Sequence, residues 1–379
     1  MARLLSPILL SLLLKDVLAQ TAGCGKNATK AVIGNIGAVN ITSSKMTRSF
    51  YLNLPPDYDP NTPHAAVFGF HGSGVNGLLF EADTRLSDPQ FATDKILVYP
   101  NGLNDVWATG VDAAGATPLD WDLTFIQDLL DNLRENYCID DQRIYATGIS
   151  NGGGFVNRIA CSPSLGANFA AFAPVSGAYT GYEQNSTGNS TCDPFKLPTP
   201  ILSIHGGNDT TVPYNGRNSS INSTDIIATP PIEYWLQGWI DRNDCTNQTE
   251  TTNGTVHHFT WTCAGVESAM EHYKVDNMGH YWPSTTPTFS QVSAGAPPTP
   301  IDGNTLIIAF FDRFTKNVTG TATSPSSTQS GGPSTTSGGT TTSAAGSGTG
   351  AAGRIDISLA NVGLAVMISI FGGLGFVMV

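Results

Sequence analysis

Between Arg48 and Val275 the chain alternates short apolar runs with stretches in which apolar residues recur every three to four positions. Arg48 to Leu54 alternates and then reaches Pro55-Pro56, as an early or edge strand does. Ala65 to Phe70 and Ile96 to Tyr99 are apolar runs of strand length. Each closes on a loop signal, His71-Gly72-Ser73-Gly74 in one case and Pro100-Asn101-Gly102 in the other. Leu123 to Tyr137 puts Phe125, Ile126, Leu129, Leu130 and Leu133 on one helical face, with Asp122 as N-cap. Then come a strand pattern over Arg143 to Thr147, a helical one from Gly153 to Cys161, and apolar runs at Phe169 to Val175 and Ile201 to Ile204. A Trp-containing helix over Pro231 to Asp241 and a last strand from Ala269 to Val275 complete the series. Strands alternating with helices predict an α/β fold: a mostly parallel central sheet with helices on both faces.

The ends follow other rules. Residues 1–19 combine Arg3, a short apolar stretch and Val17-Leu18-Ala19, the pattern of a secretory signal peptide. Residues 319–350 are almost entirely Ser, Thr, Gly, Ala and Pro, which cannot bury a core and read as an O-glycosylated stalk. Residues 351–379 end in a nearly unbroken apolar segment from Leu359 to Val379, behind a spacer and a run of small residues. That order matches a glycosylphosphatidylinositol (GPI) attachment signal; a membrane-spanning anchor is the rival, disfavoured because no basic cluster stands behind the segment. One large folded domain is left at residues 20–318.

Charge and cysteines narrow the setting. A net charge of −12 without basic runs argues against a nucleic-acid partner. The six cysteines, Cys24, Cys138, Cys161, Cys192, Cys245 and Cys263, suggest three disulfides behind a signal peptide. Fifteen pairings are possible. We expect Cys24–Cys138 to pin the N-terminus, and Cys161–Cys192 and Cys245–Cys263 to close local loops. No Cys or His cluster has zinc-site spacing, so neither a metal nor another cofactor is expected. Ten Asn-x-Ser/Thr sequons, at Asn27, Asn40, Asn185, Asn189, Asn208, Asn218, Asn222, Asn247, Asn253 and Asn317, fit a glycosylated surface.

The sharpest chemical signal is Gly148-Ile149-Ser150-Asn151-Gly152, between a strand pattern and a helical one. This is the context of a nucleophile elbow, where a tight turn lifts a serine hydroxyl above a sheet. A hydroxyl needs a base, and the base needs an orienting carboxylate. In hydrolases built on such an elbow the chain order is Ser, acid, His. Asp209 lies in the loop after Ile201 to Ile204, and His280 lies on a turn after the last strand. Among seven histidines, His280 alone combines this order with an exposed turn, whereas His71 and His205 are expected to brace loops. An oxyanion hole needs two backbone N–H donors, for which Asn151 and Ser73 are the candidates. Trp121 and Trp282 are candidates for stacking on a planar acyl group, while Trp235 and Trp239, at i and i+4, read as core.

These pieces resemble the fungal feruloyl esterases of type C, in carbohydrate esterase family one, related to polyhydroxybutyrate-depolymerase-like esterases. The resemblance rests on Tyr51-Leu52-Asn53-Leu54-Pro55-Pro56-Asp57-Tyr58, Phe70-His71-Gly72-Ser73-Gly74, Tyr99-Pro100-Asn101-Gly102, Asp122-Leu123-Thr124-Phe125-Ile126, the Ser150 elbow, His205-Gly206-Gly207-Asn208-Asp209 and Gly279-His280-Tyr281-Trp282-Pro283. It implies an α/β-hydrolase that releases ferulic or related hydroxycinnamic acids from plant cell-wall arabinoxylan, with Ser150 as nucleophile, His280 as base and Asp209 as its orienter. The same residues also allow an acetylxylan or short-chain esterase, or a polyester depolymerase. A different class, an idle cell-surface binding protein, would have no need of all three side chains.

Overall fold

The computed structural model describes residues 21–29, 32–109, 119–180, 192–217 and 229–317. The expected signal peptide, stalk and GPI-type tail, and the sequons at Asn185, Asn189, Asn218 and Asn222, lie outside them.

Ten strands form one sheet: β1 (Ile36–Ser43), β2 (Met46–Asn53), β3 (His64–Phe70), β4 (Ile96–Pro100), β5 (Ile139–Ile149), β6 (Ala171–Val175), β7 (Ile201–Gly206), β8 (Cys245–Asn253), β9 (Val256–Cys263) and β10 (Val266–Val275). Their spatial order is β1-β2-β4-β3-β5-β6-β7-β10-β9-β8. The pairs from β4 through β3, β5, β6 and β7 to β10 are parallel, while β1–β2, β2–β4, β10–β9 and β9–β8 are antiparallel. The helices of eight residues or more are α1 (Gly77–Thr84), α2 (Leu119–Asn136), α3 (Asn151–Ala160), α4 (Ile232–Arg242) and α5 (Gly303–Phe311). This is the mostly parallel α/β sheet that the alternation of strand and helix patterns predicts, and the α/β-hydrolase fold that the resemblance implies.

Burial follows position in the sheet. Every residue of β4, β6 and β7 is buried, because parallel central strands are covered on both faces and so read as continuous apolar runs. The apolar face of α2, Phe125, Ile126, Leu129, Leu130 and Leu133, is buried as its spacing requires. Asp122 is not the cap of that helix, which begins at Leu119. Its carboxylate instead accepts from Arg48 Nη2 at 2.8 Å and from the Ala108 N–H at 3.0 Å, in a buried ion pair. Arg48 also lies 4.0 Å over the Phe125 ring.

The disulfides are Cys24–Cys138, Cys161–Cys192 and Cys245–Cys263, the expected set. The first fixes Cys24 to the beginning of β5. The end of the domain returns to the same place: Tyr145 Oη donates to the Phe314 carbonyl at 2.8 Å and the Lys316 N–H to the Gln142 carbonyl at 2.9 Å.

Candidate active site

Ser150 stands between β5 and α3 with φ 58° and ψ −122°, a strained conformation for a residue with a side chain. The turn is tight enough to demand the glycines around it. A Cβ on Gly148 would lie 2.7 Å from the Phe70 carbonyl oxygen, and one on Gly152 would fall inside the shells of the Phe70 and His71 carbonyls. Ser150 is held by its own N–H on the Val175 carbonyl at 3.0 Å and by the Gly154 and Ala178 N–H groups on its carbonyl, both at 2.9 Å.

The other two candidates reach the same edge through parallel register. Ile149 pairs with Val175, Val175 with Ile204, and Gly206 with Val275, so β5, β6, β7 and β10 all end along one line. Asp209 follows β7 and His280 follows β10 within a few residues. The two loops are stitched together by the Gly207 N–H on the Val275 carbonyl (2.8 Å) and the Asn208 N–H on the Met278 carbonyl (3.1 Å).

Asp209 and His280 meet directly, His280 Nδ1 to Asp209 Oδ2 at 2.7 Å. The other carboxylate oxygen accepts from the Thr211 and Val212 N–H groups at 2.9 and 2.7 Å. Burial pushes the Asp209 carboxyl up, but the His280 hydrogen bond and charge, His205 and the Val212 amide outweigh it, and the net displacement is downward. Asp209 is thus fixed as an acceptor for an Nδ1 proton, leaving Nε2 of His280 as the basic nitrogen. The His280 side chain is 18% exposed, whereas that of Asp209 is 0% exposed. The Ser150 hydroxyl makes no hydrogen bond among the described residues, and what brings it together with His280 is the shared sheet edge.

Two histidines brace the loops, as the sequence suggests. His71 Nδ1 binds the Gly72 carbonyl at 2.7 Å while Nε2 accepts from the Gly102 N–H at 2.9 Å, which fixes its tautomer. Burial lowers it to about 4, so it is neutral. His205 Nε2 binds the Val212 carbonyl at 2.8 Å, closing the turn that carries Asp209; burial brings it to about 4 as well.

The loop at residues 71–74 abuts the elbow, since a Cβ on Gly72 would touch that of Ser150 at 3.4 Å. The Gly74 N–H is committed to the Asp105 carbonyl at 2.9 Å. Neither Ser73 nor Asn151 donates its N–H to a backbone acceptor among the described residues, and Asn151 sits in the first turn of α3, where helix N–H groups have no internal partner.

The aromatic candidates divide. Trp282 is fully buried, its Nε1 donates to Asn304 Oδ1 at 2.9 Å, and its ring meets Phe80 edge-on at 5.4 Å. It is a core residue, and the expectation that it contacts substrate is corrected here. Trp121 is 40% exposed and lies within α2, not before it. Trp235 and Trp239 are core, as their spacing suggests, and both indoles donate to Asn157 Oδ1 at 2.9 Å.

The sequence reading missed two features. The Asn151 side chain accepts from the Trp107 N–H (2.7 Å) and donates to the Trp107 carbonyl (2.9 Å), tying the loop after β4 to the elbow. Between that tie and the Asp105–Gly74 bond sits Val106, 42% exposed and apolar. Asn151, adjacent to Ser150, is the available signal for the first; Val106 carries none in sequence.

No family model matches the chain. It is 31% identical over 213 residues to the feruloyl esterase C of Emericella nidulans, covering 54% of this chain and 68% of the relative. It is also 31% identical over 210 residues to the "Probable feruloyl esterase C" of Aspergillus niger, covering 52% of this chain and 65% of that relative, a little under two thirds of its length. Among solved structures, the acetyl xylan esterase from Aspergillus awamori overlaps 65% of this chain and 94% of its own, at a TM-score of 0.47 and 15% identity.

Proposed function

The chain belongs to the feruloyl esterase C family, and from that premise we propose that it is a serine esterase that frees ferulic or related hydroxycinnamic acids from plant cell-wall arabinoxylan. The observation that carries the catalytic reading is the Asp209–His280 hydrogen bond at the same sheet edge as the Ser150 elbow.

In this reading His280 Nε2 takes the Ser150 proton as the hydroxyl oxygen attacks the ester carbonyl carbon. The tetrahedral oxyanion is held by the Ser73 and Asn151 N–H groups, either of which is worth about 3 kcal/mol at the transition state. Collapse breaks the bond to the sugar oxygen, which leaves with the proton from His280. Water, deprotonated by the same imidazole, then releases the acid from Ser150. Trp121 and Val106 are the exposed candidates for contact with the acyl group. No step calls on a cofactor. Secretion, with attachment at the cell surface through a GPI anchor, is the setting suggested by the signal peptide and tail patterns.

Acetylxylan or short-chain esters and polyesters use the same machinery, so the substrate is decided by rate. On purified protein we expect methyl ferulate to be turned over faster than acetylated xylan or polyhydroxybutyrate; a reversed order would replace the feruloyl reading with one of its rivals. A fluorophosphonate probe should label the wild type and not Ser150→Ala. An unlabelled wild type would instead favour an idle binding protein.

A further inference from the structure

The two outermost strands of the sheet, β1 and β8, are each paired along one side only among the described residues. β1, Ile36-Gly37-Ala38-Val39-Asn40-Ile41-Thr42-Ser43, has no charge and no proline, and its register with β2 runs unbroken from Ile36↔Asn53 to Ser43↔Met46. β8 has one charge, Glu250, among threonines at 246, 249, 251 and 252, and one irregularity between Thr246 and Thr249. A long, regular, uncharged edge is a template for pairing with another chain, and soluble proteins block it with charge, proline, bulges or a cover. β1 has none of the first three.

The sequons that fall within strands lie on these two edges. Asn40-Ile41-Thr42 is in β1, Asn247-Gln248-Thr249 is in β8, and Asn253-Gly254-Thr255 begins at its last residue. None of the eight inner strands contains an Asn-x-Ser/Thr sequence. Asn40, Asn247 and Asn253 are all exposed. Asn40 shares the solvent face of β1 with Ala38 and Thr42, while Val39 and Ile41 are half-buried. Three disulfides place the fold in an oxidising compartment, of the kind in which asparagine also receives oligosaccharide.

We propose that Asn40, Asn247 and Asn253 carry N-linked oligosaccharides that cap both open edges of the sheet and prevent a second copy of this chain from pairing there. The transfer forms a bond from the asparagine Nδ2 to the anomeric carbon of the first sugar. It breaks the bond from that carbon to the diphosphate of a lipid-linked oligosaccharide donor; the lipid diphosphate leaves and the amide proton passes to a base. An added strand would lie about 4.8 Å from the edge it joins. Its side chains would occupy the space beside Asn40 into which the first sugar projects. Asn27 and Asn317, exposed but outside every strand, serve as internal controls.

The test begins with full-length protein secreted from a eukaryotic host. Glycopeptide mass spectrometry after amidase release in heavy-oxygen water should find Asn40 and both β8 sites modified in most molecules. The Asn40→Gln/Asn247→Gln/Asn253→Gln variant should then raise light scattering several-fold on storage and move material to higher oligomers on size exclusion, and Asn27→Gln/Asn317→Gln should not. Amidase treatment of the native protein, which leaves a charged aspartate at each site, should keep it monodisperse. Unmodified edge sites, or a glutamine variant that keeps its turnover of methyl ferulate and stays monodisperse, would overturn the proposal. Retained turnover shows that the variant is folded, and site occupancy is read on the unaltered protein.

Discussion

Gly152 shows how strictly single positions are constrained by the elbow. Its missing Cβ is what lets the Phe70 and His71 carbonyls approach the turn. Gly152→Ala should therefore cost about 3 kcal/mol by overpacking, read as a lower urea midpoint. In the proposed mechanism Asp209 acts differently, through charge and tautomer. Asp209→Asn keeps the size but loses the acceptor that holds a proton on His280 Nδ1, so kcat on methyl ferulate should drop on the order of 10⁴-fold with KM little changed. An activity within tenfold of wild type would remove Asp209 from the mechanism. Trp282 marks what sequence could not tell at this scale: two residues past the base it looks like a pocket wall, but Asn304 and Phe80, remote in sequence, claim it for the core.

Among the elements, legibility tracked burial pattern. β3, β4, β6 and β7 are short apolar runs because both their faces are covered, and α2 declared itself by its apolar stripe. β8 did not, since Cys245 to Asn253 is exposed along nearly its whole length and so has no alternation to read. The helix α5 was missed for the opposite reason: Leu306-Ile307-Ile308-Ala309-Phe310-Phe311 is apolar throughout and shows no helical period. The start of α2 was misjudged because Asp122 resembles a cap, whereas its partners are on β2 and in the loop after β4. That buried pair yields a prediction. Burial pushes the Asp122 carboxyl up against the pull of Ala108 and Arg48, so the carboxylate depends on those partners. Arg48→Met should destabilise by about 3–5 kcal/mol in denaturant melts. Adding Asp122→Asn, which keeps an acceptor for Ala108, should recover much of the loss; no recovery would mean that packing over Phe125, not charge, is what Arg48 supplies.

For the whole molecule, pH sets stability through buried imidazoles. Burial lowers His71 and His205 to about 4 and His272 to about 3, from an ordinary 6.5. Below pH 6.5 the unfolded chain binds more protons than the folded one, so their contribution is complete above that value and is lost as pH falls toward 4. Glu81, Asp83 and Asp122, raised chiefly by burial, act in the opposite sense. We expect the three histidines to prevail and calorimetric Tm to fall between pH 6.5 and 4; a Tm that climbs across this interval would contradict the neutral, buried assignment. The placement of Cys24 and Lys316 has a consequence for immobilisation. Both the Cys24 staple and the Lys316 contact sit at the beginning of β5, whereas Ser150 follows its end. From Gln142 to Ser150 the strand spans on the order of 25 Å. A bead or surface coupled through Asn317 thus grips the domain by its heel, and the edge that carries Ser150 is turned toward the surrounding liquid.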